Sequence, residues 1–172
     1  MSIPDWALTL AYWLHMLATV VWLGGLTALA LLVLPVARQA LEPEPYADLL
    51  ERLQRRLDPV GWFCLAALVA TGMFQMSANP NYGGLLAIAN RWAVAILIKH
   101  LLFLVMIGLS AYSTWVLFPQ MRRAALRLAK SPSDDGAQAA ARLQRQEVNL
   151  MRLNLALGIL ILALTAAARA AA

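Results

Sequence analysis

Four long apolar runs dominate the chain: Trp6 to Leu34, Val60 to about Met76, Trp92 to Phe118, and about Leu150 to Ala168. A hydrocarbon core about 30 Å thick takes roughly 20 helical residues, so each run predicts a transmembrane helix. Pro35 and Pro119 are expected to close the first and third runs, and Asp58-Pro59 to open the second as N-cap and first helical residue. Pro43 and Pro45 precede an amphipathic stretch, Tyr46 to Leu57, which predicts a short surface helix. Between the third and fourth runs the helices are expected to extend past the membrane and to break at Ser131-Pro132-Ser133-Asp134-Asp135-Gly136. The pattern predicts an all-α fold, a four-transmembrane-helix bundle forming a single integral membrane domain over residues 1–172.

Composition agrees. Hydrophobic residues make up 62% and charged residues 13%, against about 25% charged in a soluble domain. The net charge of +5 is not spread evenly. Arg38, Arg52, Arg55 and Arg56 lie between the first two runs, and Arg122, Arg123, Arg127, Lys130, Arg142 and Arg145 between the last two. The connection from Ser77 to Arg91 has one cation, the N-terminal tail none, and the C-terminal end only Arg169. Such an asymmetry orients helices in a membrane and does not call for nucleic acid. It predicts both basic loops in the cytoplasm and both termini on the periplasmic side of a bacterial inner membrane. The first run is longer than the 7–15 residues of a signal-peptide core and is expected to remain in the protein. The single cysteine, Cys64, forms no disulfide framework and is expected to pack as a small hydrophobe.

Two lone histidines, His15 and His100, fall inside apolar runs at nearly the same depth. Trp6 to His15 is nine residues and Trp92 to His100 is eight, a mismatch of about 1.5 Å of helical rise. An ionisable group inside a membrane helix is a functional-site hypothesis by default. The two runs also share a weak repeat: Trp6, His15, Gly24-Gly25, Pro35, Arg38 against Trp92, His100, Gly108, Pro119, Arg122. The repeat predicts two helical hairpins related by an axis along the membrane normal.

The sharpest expectation is haem b held by both imidazoles, since neutral histidines serve as axial ligands on facing helices. Gly24, Gly25, Gly108, Ala11, Ala18 and Ser110 are small enough to admit a porphyrin edge. Tyr12, Thr19 and Trp22 on one helix, with Ile96, Leu97, Phe103, Leu104 and Ile107 on the other, are candidate walls. Lys99, Arg91 and Arg169 are candidate propionate partners. Lys99 has a plainer reading as a snorkelling side chain. Copper is the alternative, on the same histidines with Met73 and Met76, which at i, i+3 share a helical face. The plain alternative is that each histidine hydrogen-bonds a neighbouring helix and the glycines are close-packing sites. Gln75 is a candidate for the same cavity, and Asn154 for a bridge between helices. No hydrolytic or phosphoryl-transfer motif is visible, and no carboxylate lies inside a run.

Trp13-Leu14-His15, followed by Trp22-Leu23-Gly24-Gly25, and later Lys99 and Arg152-Leu153-Asn154 leading into Gly158, resemble the copper-resistance protein D family. The resemblance implies a four-helix membrane module with a role in copper uptake or resistance. A more distant likeness, through His15 and Lys99, is to HemJ-type protoporphyrinogen oxidases, which bind haem b. The chain lacks that group's Arg-Trp-Asn-Glu-Pro-like segment, so protoporphyrinogen oxidation is not expected.

The leading expectation is therefore a haem b protein transferring electrons near the outer face, with a quinone or a redox protein as partner. Copper binding or transport is the second reading. A cofactor-free subunit of a homo-oligomer or a larger membrane complex is the third.

Overall fold

The structure, a computed structural model, describes residues 4–84, 86, 88 and 90–170. Both ends of the predicted domain (1–3, 171 and 172) and three residues of the Ser77 to Arg91 connection lie outside the described residues. The fold is all-helical. Its elements are α1 (Asp5–Ala28), a π-turn (Leu29–Val33), α2 (Leu34–Ala40), α3 (Pro43–Ser77), α4 (Arg91–Tyr112), a second π-turn (Ser113–Leu117), α5 (Phe118–Lys130) and α6 (Asp134–Ala170). They join into four continuous rods, Asp5–Ala40, Glu44–Ser77, Arg91–Lys130 and Asp134–Ala170, each long and apolar enough to cross a membrane.

The prolines do not end the first and third rods as expected. Pro35 and Pro119 have no N–H to give to the carbonyl four residues back, and their rings crowd it. The chain answers by widening one turn. The Leu34 N–H donates to Leu29 O, and the Phe118 N–H to Ser113 O, both five residues back. Each proline then stands in the first turn of the next segment, where a missing N–H costs little, and the helix continues to Ala40 or Lys130. The same device at the same place in both rods is the strongest structural sign of the internal repeat.

Asp58-Pro59 does not open the second rod. Pro59 lies inside α3, so the predicted surface helix and the second span are one helix. The reason is packing: Tyr46 and Leu50, from the amphipathic part, are buried with Leu34, Ala37, Leu117 and Met121. The break at Ser131 to Gly136 is borne out in position: α5 stops at Lys130 and α6 begins at Asp134. Asn90 caps α4, its side chain accepting from the Ala93 N–H at 2.7 Å.

Rods of 34 to 40 residues are about 51–60 Å long at the helical rise, well over the hydrocarbon thickness. Their arginine-bearing ends therefore stand beyond the apolar spans in water. Outward faces carry Val20, Phe63 and Trp115 among many exposed apolar side chains, as a lipid-facing surface must.

α1 packs mainly on α3, and α4 on α6, giving the two predicted hairpins. They join through α1 with α6 and through α5 with both α3 and α6. The first and third rods are thus diagonal partners in the bundle. Two buried clusters close its ends. Leu34, Ala37, Tyr46, Leu50, Leu117 and Met121 fill the arginine end, while Met76, Trp92, Ala93 and Ala168 fill the tryptophan end. Gly158 lets α6 come close to α1. A Cβ there would stand 2.6 Å from Leu23 Cδ1.

Candidate functional site

His15 and His100 are the eleventh and tenth residues of α1 and α4, so the structure keeps them at matched positions along parallel rods. Both are half-buried, and both have a proton fixed by a neighbour. Thr71 Oγ1 donates to Ala67 O at 2.5 Å. Its hydroxyl proton is spent there, so toward His15 Nδ1, 2.8 Å away, the same oxygen can only accept. His15 must carry its proton on Nδ1. His100 Nδ1 lies 2.7 Å from Ile96 O, a carbonyl that accepts and never donates, so His100 is Nδ1-protonated as well. In both rings the lone pair is left on Nε2. A ligating histidine has this arrangement: one nitrogen is held by a hydrogen bond to oxygen, which sets the tautomer and frees the other for a metal.

Sequence reasoning missed the partners of His15. Gly72, next to Thr71, lets the imidazole rest against α3, since a Cβ there would be 3.4 Å from His15 Cε1. Gln75, one turn on, donates to Ala11 O at 3.0 Å and so fixes α3 against α1 one turn from His15. The available signal was a threonine-glycine pair and a glutamine at helical spacing in an otherwise apolar run.

The other candidates divide. Lys99 is half-buried on α4, next to His100. Arg91 is exposed at the start of α4. Arg169 lies over the Tyr12 ring, 5.4 Å from its centroid, so both are placed at the tryptophan end. Gly24 and Gly108 are exposed, and a Cβ on either would meet nothing within 4 Å. They neither bring helices together nor face the bundle interior. Leu104 is 63% exposed and is no interior wall. The Met73 and Met76 pair is split: Met73 is 43% exposed, whereas Met76 is buried among Trp92, Ala93 and Ala168. Met106, six residues and about 9 Å further along the helix than His100, is also buried.

Trp22 and Gly25 belong to a different place. They line a cavity of about 200 Å³ nearer the arginine end, bounded also by Leu29 of the first π-turn and by Ser113 and Thr114 of the second. Cys64 is buried and also lines it. Asn154 does bridge helices, donating from α6 to Ser110 Oγ on α4 at 3.0 Å. No group of three or more His, Cys, Asp or Glu side chains gathers among the described residues.

At the arginine end, outside the apolar spans, Glu147 is 2% exposed. Its Oε2 accepts from the Tyr46 hydroxyl at 2.8 Å, and its Oε1 has no protein partner. Burial pushes this carboxyl up to about 7, against the opposing pull of the Tyr46 hydrogen bond and the Arg38 charge. Burial and the adjacent carboxylate also raise the Tyr46 hydroxyl, which stays protonated.

Neither the curated proteins nor the solved structures give a match to this chain. Residues 51–168, more than half of it, match the family model of copper resistance protein D. The matched part holds His100, Lys99 and Arg152-Leu153-Asn154 with Gly158, and it begins after His15. It carries the first of the two likenesses seen in the sequence and not the likeness to HemJ-type oxidases. This four-helix membrane protein belongs to the copper resistance protein D family.

Proposed function

We propose that the chain binds copper as Cu(I) through Nε2 of His15 and Nε2 of His100, and that copper is its cargo. The observation that carries this reading is the pair of fixed tautomers, each leaving an Nε2 lone pair free, at matched positions on two apolar helices. Neutral imidazole suits copper, and cuprous ion accepts as few as two ligands. Zinc sites take four ligands, and no third His, Cys, Asp or Glu joins either histidine in a cluster among the described residues. Family membership points to copper.

Lys99 fits a transit site better than a storage site. An ammonium next to His100 in the chain disfavours a second positive charge nearby, and conduction requires an ion to bind well enough to enter yet weakly enough to leave. The orientation that follows from the basic loops would put the histidines in the outer half of the bilayer, on the side from which periplasmic copper arrives.

The test is a titration of the reduced, detergent-purified protein with Cu(I) against a coloured chelator. One tight equivalent is expected, weakened about 100-fold or more in His15→Ala and in His100→Ala. Copper affinity unchanged in both variants contradicts the proposal. An absorption spectrum of protein made with ample haem belongs beside it. A Soret band lost in either variant would assign the same two lone pairs to haem b.

A further inference from the structure

A groove of about 450 Å³ runs between α3 and α5 at the arginine end, and the copper site makes no use of it. Three exposed arginines line it: Arg55, Arg122 and Arg123. Leu50, Phe118 and Met121 give it an apolar wall. Glu51 ties the two helices together, pairing with Arg55 Nη2 at 2.6 Å and with Arg122 Nε at 2.9 Å. A guanidinium has five N–H donors, so these two ion pairs engage only a part of what Arg55 and Arg122 offer. Arg123 has no ion pair among the described residues. Asp58 is the other acid in the lining, and it is held by Gln54 and Thr114. Three positive charges against two negative leave a surplus of one, which suits a single anion.

Depth identifies that anion. Arg122 and Arg123 stand four and five residues past Phe118, the last residue of the third apolar run. Arg55 stands five residues ahead of Val60, the first residue of the second. At the helical rise these offsets are about 6–7.5 Å. The headgroup layer on each side of a bilayer is about 5–7 Å deep. All three arginines therefore stand at the level of the lipid phosphates, and Phe118 stands where acyl chains begin. A free anion has no use for the apolar wall, whereas a phospholipid uses both parts. Basic pockets between membrane helices take anionic headgroups in this way, and a choline headgroup would bring a further positive charge beside three arginines.

We propose that this groove binds one anionic phospholipid, its phosphodiester accepting from Arg55, Arg122 and Arg123 and one acyl chain starting along Phe118.

Native mass spectrometry of the full chain in detergent, titrated with dioleoylphosphatidylglycerol and with dioleoylphosphatidylcholine, tests this. One phosphatidylglycerol is expected to bind about ten-fold more tightly than phosphatidylcholine. Arg123→Gln should cut that preference to about two-fold, and with no ion pair to lose the variant should melt like the parent. Arg145→Gln is the control. Arg145 is exposed on α6, five residues ahead of the fourth apolar run and so at a similar depth, but it does not line the groove; its loss should leave the preference intact. Equal binding of the two lipids, or a preference unchanged in Arg123→Gln, overturns the proposal. Equal weakening in both variants overturns it too, since the basic end as a whole would then attract lipid without a site. Glycerophosphoglycerol, the same headgroup without acyl chains, should fail to displace the lipid at equal concentration; displacement would make the groove a site for soluble phosphodiesters and contradict the lipid assignment. Cu(I) affinity is expected to be unchanged in both variants, so this inference and the copper reading fail separately.

Discussion

At the level of single residues, the proposed copper site depends on where a few protons sit. Thr71 gives its proton to Ala67 O and so takes the one on His15 Nδ1. Thr71→Val keeps the shape and removes the acceptor; Cu(I) affinity should fall about 10-fold, the lower range for loss of an outer hydrogen bond to a metal ligand. Lys99→Met should act in the opposite sense and tighten Cu(I) binding several-fold, seen in the same chelator titration. The buried carboxyl of Glu147 gives a prediction for pH. Its native pKa of about 7 lies above the roughly 4.3 of a free glutamate, so between these values the folded state holds a proton that the unfolded state has released. Its contribution is most favourable below about pH 4 and is lost as pH rises through 7, roughly 3–4 kcal/mol in all. Thermal melting in detergent should show the protein less stable at pH 8 than at pH 5, with most of that difference gone in Glu147→Gln. The histidines were legible in the sequence because an ionisable group in a long apolar run stands out. Thr71, Gly72 and Glu147 were not, since a threonine, a glycine and a loop glutamate acquire meaning only when the register between helices is known.

At the scale of elements, the apolar runs gave the four rods, and the prolines misled about their ends. A proline reads as a stop in one dimension. In three dimensions the helix absorbed it by widening one turn, because Leu34 and Leu117 just before the prolines and Ala37 and Met121 beyond them are buried in a shared core and hold the continuing helix in place. Pro59 was misread for the same reason, with Tyr46 and Leu50 anchoring the helix ahead of it. Proline in a helix interior is ordinarily about 3 kcal/mol worse than alanine, so Pro35→Ala would usually be a strong stabiliser. Here a regular helix would lose the π-turn and rotate Leu34 and Ala37 out of their packed register. Pro35→Ala is therefore expected to gain well under 3 kcal/mol, or to lose stability, in a detergent melt. A gain of the full amount would mean that the π-turn does not set the register.

At the scale of the whole molecule, two hairpins set side by side put the histidine rods on a diagonal and leave Asp5 and Ala170 at the tryptophan end. The repeat was visible in the sequence as matched Trp, His and Pro spacings. The cavity between the π-turns was not, because its wall is drawn from both hairpins. The arginine asymmetry makes the orientation testable: a phosphatase fused after Ala172 should be active and a fluorescent protein there dark, the periplasmic result. The central claim, copper on two imidazole nitrogens, is tested most directly by X-ray absorption at the copper edge of the reduced, copper-loaded protein. A cuprous edge, two nitrogen neighbours and the outer-shell scattering of imidazole are expected, all diminished in His15→Ala. A first shell of sulfur, or a spectrum that His15→Ala leaves unchanged, would contradict it.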